Sequence, residues 1–131
     1  MKDEEYVVRG VPAVTMADGS IIVQTEVQEG TSFWFSSRDK EKLATGFDWM
    51  ASQIKEQLGG EKPSLVLQFE CATRGKMMVR EQEKLQLQRR FRQSLGAEAP
   101  WAGFYTLGGE FSPVEEHNDC HLFSSVVLAL S

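Results

Sequence analysis

"SLVLQFECATRG", residues 64–75, is the stretch that decides the predicted fold, because it joins an apolar strand to a polar loop. Apolar side chains fall on both faces of its first half, at Leu65, Val66, Leu67 and Phe69. Such a run is typical of an interior strand that is covered on both sides. Cys71 ends this strand, and open sheets commonly place ligand-binding residues at the carboxyl end of a strand. The loop that begins at Cys71 is therefore the first candidate for a functional site.

A helix is predicted ahead of this strand, because apolar residues recur at helical spacing. The residues that share its apolar face are Leu43, Phe47, Met50, Ile54 and Leu58. Ser36 and Asp39 have the spacing of a capping box at its start, with aspartate in place of the usual glutamate. Gly59-Gly60 and then Pro63 predict its end, since glycine readily adopts the left-handed geometry that closes a helix.

A second helix is predicted after the strand, from about Val79 to Leu95. Leu87, Phe91 and Leu95 recur every four residues, and Gly96 is the expected cap. The last turns also carry Arg89, Arg90 and Arg92. Cations near a helix C-terminus interact favourably with the helix dipole, which is the simplest explanation of these arginines. A phosphate-binding patch is the alternative.

Strands are predicted at both ends of the chain. The segment from Tyr6 to Phe35 has strand composition broken by turns, and Asp18-Gly19 is a hairpin signal because this pair tolerates positive φ. "WAGFYTLGGEFSP" at 101–113 and "HLFSSVVLALS" at 121–131 predict two strands joined by an acidic loop. The predicted fold class is α+β, a mostly antiparallel sheet with two main helices in the order β-β-β-α-β-α-β-β. Six aromatic residues are expected in the core or in a pocket wall: Trp34, Phe35, Trp49, Trp101, Phe104 and Tyr105.

Length and charge restrict the classes of function. The chain has 131 residues, of which 41% are hydrophobic, and this predicts one domain over residues 1–131. A formal charge of −5 argues against nucleic-acid binding, which normally requires a basic face. No apolar run approaches the roughly 20 residues that insert across a bilayer, and the N-terminus lacks a signal peptide, so a cytoplasmic location is predicted. Two cysteines fit free thiols in a reducing compartment.

Three motifs follow one another from the central strand onward. The first is a Cys-x-x-Arg-Gly box at Cys71, Arg74 and Gly75. The second is a Gly-Phe-x-x-x-Gly-Glu box with one extra residue, at Gly103, Phe104, Gly109 and Glu110. The third is a His-Asn pair, matched by letters at His117-Asn118 and by distance to the last strand at His121. This arrangement resembles the C-terminal domain of the FIST family, the F-box and intracellular signal transduction proteins.

The resemblance extends from about Tyr6 to Ser131, and it implies a sensory role in signal transduction. Domains of this family resemble ligand-binding modules, for which amino acids are among the proposed ligands. The resemblance also implies a partner, because such domains usually follow an N-terminal FIST domain or another signalling domain. The chain is accordingly expected to be either an excised domain or a shortened relative, with no membrane insertion.

A binding site for an amino-acid-like ligand is predicted where the motifs meet. Arg74 has a fork-shaped cation suited to a carboxylate, and Glu110 has a carboxylate suited to an amine. The predicted ligand-binding residues are Cys71, Arg74, Gly75, Gly109, Glu110, His117, Asn118 and His121. For each there is also a structural explanation: Arg74 in a salt bridge to Glu70 or Glu110, the glycines in a bulge, and Cys71 as a small buried side chain.

Three other functions fit particular residues. Cys71 as a nucleophile with His117 or His121 as its base would define a cysteine-dependent enzyme, although the leading prediction is a non-enzymatic module. The cluster "EEHNDCH" at 115–121 suggests a zinc or haem site, but its ligands come from one element, so no cofactor is predicted and a polar turn is favoured. A pure interaction domain would instead show a sizeable exposed apolar patch.

Overall fold

The computed structural model describes residues 7–11, 13–23, 25–37, 39–108, 110–114 and 117–131, with the backbone alone described at residues 13, 110–114, 117 and 119. The order of these elements differs from the predicted one at both ends: two strands instead of three precede the first helix, and four strands instead of two follow the second. In chain order they are β1 Ala13–Val14, β2 Ile21–Ile22, α1 Lys40–Gln57, β3 Leu65–Cys71, α2 Glu81–Leu95, β4 Trp101–Thr106, β5 Glu110–Val114, β6 His117–His121 and β7 Ser125–Leu130.

The central sheet has three strands in the order β4-β3-β7, with the predicted interior strand β3 in the middle. β3 pairs in parallel with β4 and antiparallel with β7. The parallel pair follows from the chain order, because α2 carries the chain back along the sheet between β3 and β4. The predicted α+β class is therefore confirmed, whereas the central sheet is mixed rather than antiparallel.

Helix α1 has the predicted apolar face but a different cap. The Asp39 carboxylate accepts hydrogen bonds from the backbone N–H groups of Glu41 and Lys42, at 2.8 and 3.3 Å, so the cap is Asp39 rather than Ser36. The apolar face is buried or partly buried at Leu43, Phe47, Met50, Ile54 and Leu58. The helix gives way to Gly59-Gly60, and both glycines have the positive φ that the sequence predicts there.

The core lies between the two helices and one face of the central sheet. Phe91 and Leu95 of α2 pack against Phe47 of α1, and the ring centroids of Phe47 and Phe91 are 4.9 Å apart. Trp101, at the start of β4, meets Phe91 edge-on at 5.4 Å. Since burial of large apolar side chains is the main stabilising term in folding, this aromatic group fixes how α2 lies on the sheet. Gly96 caps α2 as predicted.

The N-terminal region differs most from its prediction. β1 and β2 are two-residue strands that pair antiparallel around the predicted Asp18-Gly19 turn, where the Ser20 N–H donates to the Asp18 carboxylate at 2.9 Å. The predicted third strand is not formed by the described residues 31–37. Trp34, Phe35 and Trp49 are exposed, Phe35 by 81%, and so they do not belong to the core. Strand composition alone predicts no partner strand, and pairing is what forms a strand.

The C-terminal region contains one hairpin more than predicted. β5 pairs antiparallel with β6, so the predicted polar turn in "EEHNDCH" is largely a strand. Antiparallel hairpins tolerate polar residues because one face can stay in water, which explains why hydrophobic patterning missed this strand. The chain then returns through β7, which pairs with β3 as the terminal strand that the sequence predicts. The strand is not buried as predicted, because its residues are half-buried or exposed and Leu128 is 49% exposed.

Helices α1 and α2 cover one face of the central sheet. β3 is therefore covered on one side rather than on both sides as predicted, and its burial alternates from Leu65 to Glu70. Paired residues of neighbouring strands share a face, and the second face, here called the open face, carries eight apolar side chains and no charge. They are Leu65, Leu67, Phe69, Ala102, Phe104, Val126, Leu128 and Leu130. Phe104 is 67% exposed although it meets Phe69 edge-on at 5.1 Å.

Gly103 permits the close pairing of β4 with β3. It lies opposite Gln68 in the parallel register, and a Cβ at this position would overlap the Gln68 backbone carbonyl oxygen. A backbone atom cannot move aside as a flexible side chain can. Glycine at 103 is thus required by the spacing of the two backbones.

We expect Gly103→Ala to lower the free energy of unfolding by about 1–3 kcal/mol, because the added methyl group forces β4 away from β3. The matched control is Gly46→Ala in α1, where a Cβ would meet no atom within 4 Å. That control should raise stability by roughly 0.5–1 kcal/mol, since alanine is the better helix former. Urea denaturation measures both, and equal effects would contradict the register.

Candidate functional site

Glu70, Arg74 and Lys84 form a buried cluster, here called the charged triad, at the carboxyl end of β3. Arg74 Nη1 donates a hydrogen bond to Glu70 Oε1 at 2.7 Å, and Lys84 Nζ lies 3.4 Å from Glu70 Oε2. The side chain of Glu70 is only 8% exposed, that of Arg74 13% and that of Lys84 17%. Removing three charges from water is costly, and the contacts among them offset that cost. The triad therefore joins the loop after β3 and the first turns of α2 to the sheet.

The Cys-x-x-Arg-Gly loop is shaped around this carboxylate. The backbone N–H groups of Arg74 and Gly75 both donate to the Cys71 carbonyl, at 2.9 and 3.0 Å, which turns the chain back toward β3. A Cβ on Gly75 would lie 2.6 Å from Glu70 Oε2 and 2.9 Å from Lys84 Nζ. Glycine at this position leaves room for the charges, and the motif thus has a structural explanation.

Arg74 is held on a second side by an aromatic ring. Its guanidinium carbon lies 4.6 Å from the ring centroid of Phe47 in α1, a distance typical of a cation–π contact. Burial lowers the pKa of Arg74 from its ordinary value, and the Glu70 carboxylate opposes that shift. The guanidinium stays cationic, because arginine loses its proton only far above neutral pH. Arg74 thus connects α1, the loop and β3.

A groove of about 460 Å³ opens between α2 and the edge strand β4. Its polar floor comes from Gln68 and Glu70, which are both buried and lie two residues apart on the helix-covered face of β3. Gln68 Oε1 accepts hydrogen bonds from Gln88 Nε2 at 2.6 Å and from Trp101 Nε1 at 3.2 Å. The groove therefore combines amides, charges and aromatic rings in one concave surface.

Strand β4 is the outer wall of the groove, and its outer edge is not paired with another described strand. Trp101 and Tyr105 line the groove, so that of the two predicted positions, core or pocket wall, Tyr105 takes the second. The Tyr105 ring covers Lys84, with the ring centroid 3.4 Å from Nζ.

Sequence reasoning missed Gln68, Lys84 and Gln88. The available signal was two polar residues, Gln68 and Glu70, at alternate positions of an otherwise apolar strand, which is unusual for an interior strand. Lys84 and Gln88 are four residues apart on α2 and therefore share one helical face. Which face of α2 meets β3 is decided by packing, so the pairing itself could not be predicted.

Cys71 lies where three loops meet. Its backbone N–H donates to the Ser124 carbonyl at 3.0 Å, and the Ala72 N–H donates to the Thr106 carbonyl at 2.8 Å. The end of β3, the end of β4 and the segment before β7 thus meet at one end of the sheet. The Cys71 thiol itself is buried, with Sγ 2.8 Å from the Thr73 hydroxyl.

The predicted histidine positions lie along strand β6. His121 is paired with Glu110, and His117 is paired with Val114 at the other end of the hairpin. The two histidines are four positions apart along the extended chain, a span of roughly 13 Å. The Nε2 atom of His121 is buried without a hydrogen-bond partner among the described residues, and Asn118 is exposed. Gly109 lies outside the described residues, and only the backbone of Glu110 is described.

The described residues contain no group of three or more His, Cys, Asp and Glu side chains that could hold a metal ion. The predicted absence of a cofactor stays a prediction. Across the same described residues, no helix is long and apolar enough to cross a membrane.

Comparison with protein families matches the chain to the FIST C domain over residues 1–113. The match covers most of the 131 residues, and the chain belongs to the FIST C domain family, a family of signal-transduction domains. The matched range contains the charged triad, the Cys-x-x-Arg-Gly box and the Gly-Phe-x-x-x-Gly-Glu box. His117, Asn118 and His121 lie beyond it. Comparisons with curated proteins and with solved structures found no match.

We expect Glu70→Gln to lower the free energy of unfolding by about 3–5 kcal/mol, because two buried cations lose their shared carboxylate. The control is Asp48→Asn, which breaks the exposed pair between Asp48 and Arg90 and should cost no more than about 1 kcal/mol. Urea denaturation compares the two variants. Similar losses from both would show that the triad contributes no more than a surface ion pair.

Iodoacetamide at neutral pH should modify Cys120 well before Cys71 in the folded protein, because Cys71 is buried and Cys120 is half-buried. Peptide mass spectrometry over time gives the two rates, and both cysteines should react at similar rates in urea. Rapid modification of Cys71 in the native state would instead support a reactive thiol and the cysteine-dependent enzyme.

Proposed function

We propose that this FIST C domain is a non-enzymatic sensory module that binds a small polar, amino-acid-like ligand in the groove between α2 and β4. The observation that carries the proposal is the buried polar floor formed by Gln68 and Glu70. Signal transduction is the role of the family, and the ligand and its site are the proposed additions.

The floor of the groove is costly for a purely structural strand. Gln68 is 6% exposed, and burying an amide without hydrogen bonds costs roughly 1–3 kcal/mol. Gln68 avoids this cost through Gln88 and Trp101, and its own Nε2 donates to the Ser125 hydroxyl at 3.3 Å. Apolar residues at these positions would stabilise the sheet without any such network. A polar network that is fixed from three sides is what orients a bound ligand.

The size and chemistry of the groove fit a small metabolite. Pockets for small ligands are typically about 300–1,000 Å³, with aromatic walls and a few placed polar groups. Here Trp101 and Tyr105 provide apolar surface, Gln88 provides amide groups, and Glu81 and Lys84 provide charges. A zwitterionic ligand can satisfy both signs of charge within one groove.

The predicted clamp between Arg74 and Glu110 is less well supported than the groove. Arg74 already has Glu70 at 2.7 Å and Phe47 on its other side, so its cation is occupied in the structure. The position of the predicted site at the carboxyl end of β3 is kept, because Glu70 and the loop that follows it line or border the groove. The cation that lines the groove is Lys84 rather than Arg74.

Protein interaction is a second candidate function, and the open face favours it. An uncharged sheet face with an exposed phenylalanine is the apolar patch that a pure interaction domain predicts. A partner signalling domain that covers this face is consistent with ligand binding in the groove, since the floor of the groove lies on the other face of the sheet. The two functions differ in whether any small ligand binds.

Ligand binding should appear as a thermal shift with at least one of the 20 L-amino acids. A ligand at a hundred times its Kd stabilises the native state by about 2.7 kcal/mol, which raises Tm by several degrees in a domain of this size. The test variant is Gln88→Leu, which removes a floor contact, and Gln86→Leu on the exposed side of α2 is its control.

Gln88→Leu should abolish the shift, whereas Gln86→Leu should keep it. If no amino acid raises Tm, the ligand-binding proposal fails and the interaction function remains. If both variants bind like the wild type, a ligand site exists but lies outside the groove.

A further inference from the structure

Lys84 has an unusual position in the wall of the groove. Its Nζ lies 3.4 Å from Glu70 Oε2, yet it makes no hydrogen bond to any described residue. An ammonium group has three N–H donors, and a buried donor without an acceptor is costly. The side chain is thus held in place by charge attraction and by the Tyr105 ring, with its hydrogen-bonding capacity unused.

The charges around Lys84 leave a positive surplus. The triad contains two cations, Arg74 and Lys84, and one carboxylate, Glu70. Lys76 and Glu81 also line the groove, and their opposite charges cancel. The inner end of the groove therefore carries one uncompensated positive charge. In surroundings that hold little water, such a charge attracts an anion more strongly than a surface lysine would.

The first turn of α2 adds to this attraction. Lys84 lies in the second half of that turn, and the N-terminus of a helix carries partial positive charge. Glu81, in the same first turn, already places one carboxylate at this helix end.

Tyr105 is the group that an incoming anion would replace. Its ring now covers Nζ from strand β4, which has no described strand on its outer side. A cation–π contact is weaker than a charge-assisted hydrogen bond between an ammonium and a carboxylate. A carboxylate at this point would therefore displace the ring from Nζ and supply the missing acceptor.

We infer that the groove selects ligands that carry a carboxylate and that Lys84, rather than Arg74, receives it. This inference rests on the proposed function and adds to it the charge and the orientation of the ligand. The carboxylate lies at the triad end of the groove, and the rest of the ligand extends toward Gln88 and Trp101.

The test compares each of the 20 L-amino acids with its own C-terminal amide by isothermal titration calorimetry. At about pH 6.5 both compounds carry a protonated α-amino group, so that they differ only at the carboxyl group, which is an anion in the acid and a neutral amide in the other compound. Amino acids that bind wild-type protein should bind about tenfold or more tighter than their amides, which is the scale of one charge-assisted hydrogen bond.

Lys84→Met should remove this preference for the acid over the amide, and Lys76→Met, at the other lysine of the groove, should keep it. The wild-type comparison decides the carboxylate selectivity even if Lys84→Met does not fold. Equal binding of acids and amides overturns the inference and leaves the proposed function intact. A preference for the acid that persists in Lys84→Met does the same. Absence of binding by all 20 amino acids overturns both.

Discussion

The carboxylate of Glu70 is the constraint on which the rest of this structure depends. It is buried at the end of the central strand, where it must be paired with cations to be tolerated. Arg74 brings the loop after β3 to it, and Lys84 brings the first turns of α2. Gly75 follows from the same requirement, because a side chain there would overlap the charges. One buried carboxylate thus sets the position of a loop, a helix and a glycine.

The orientation of α2 on the sheet has consequences for function. The last turns of α2 pack through Phe91 and Leu95 against the apolar core. Its first turns face the polar positions of β3. The surfaces that α2 and β3 turn toward each other thus change from apolar to polar, and the groove opens at the polar end. The apolar open face lies on the other side of the sheet. A ligand and a partner domain could therefore act on the same three strands from opposite sides, which suits a domain that transmits a signal.

Sequence patterns predicted the elements whose periodicity repeats over several turns or strand positions. The five apolar positions of α1 and the capping glycines of both helices lie where the spacing indicates. Predictions failed where an element depends on a distant partner. The residues around Phe35 have strand composition without a described partner strand, and β6 is a strand despite its polar residues because β5 pairs with it. The candidate site followed the same rule: the loop at Cys71 was predicted, but Lys84 and Gln88 were not.

The sequence by itself determined two amphipathic helices, an apolar central strand and a family motif at the end of that strand. Those features are local, since each depends on spacing within about twenty residues. Only the tertiary structure decided that β4 runs parallel to β3, that Arg74 pairs with Glu70 out of its two candidate carboxylates, and that Lys84 is left with unused donors facing a groove. Charges on separate elements select their partners when packing brings those elements together, and sequence spacing contains no record of that choice.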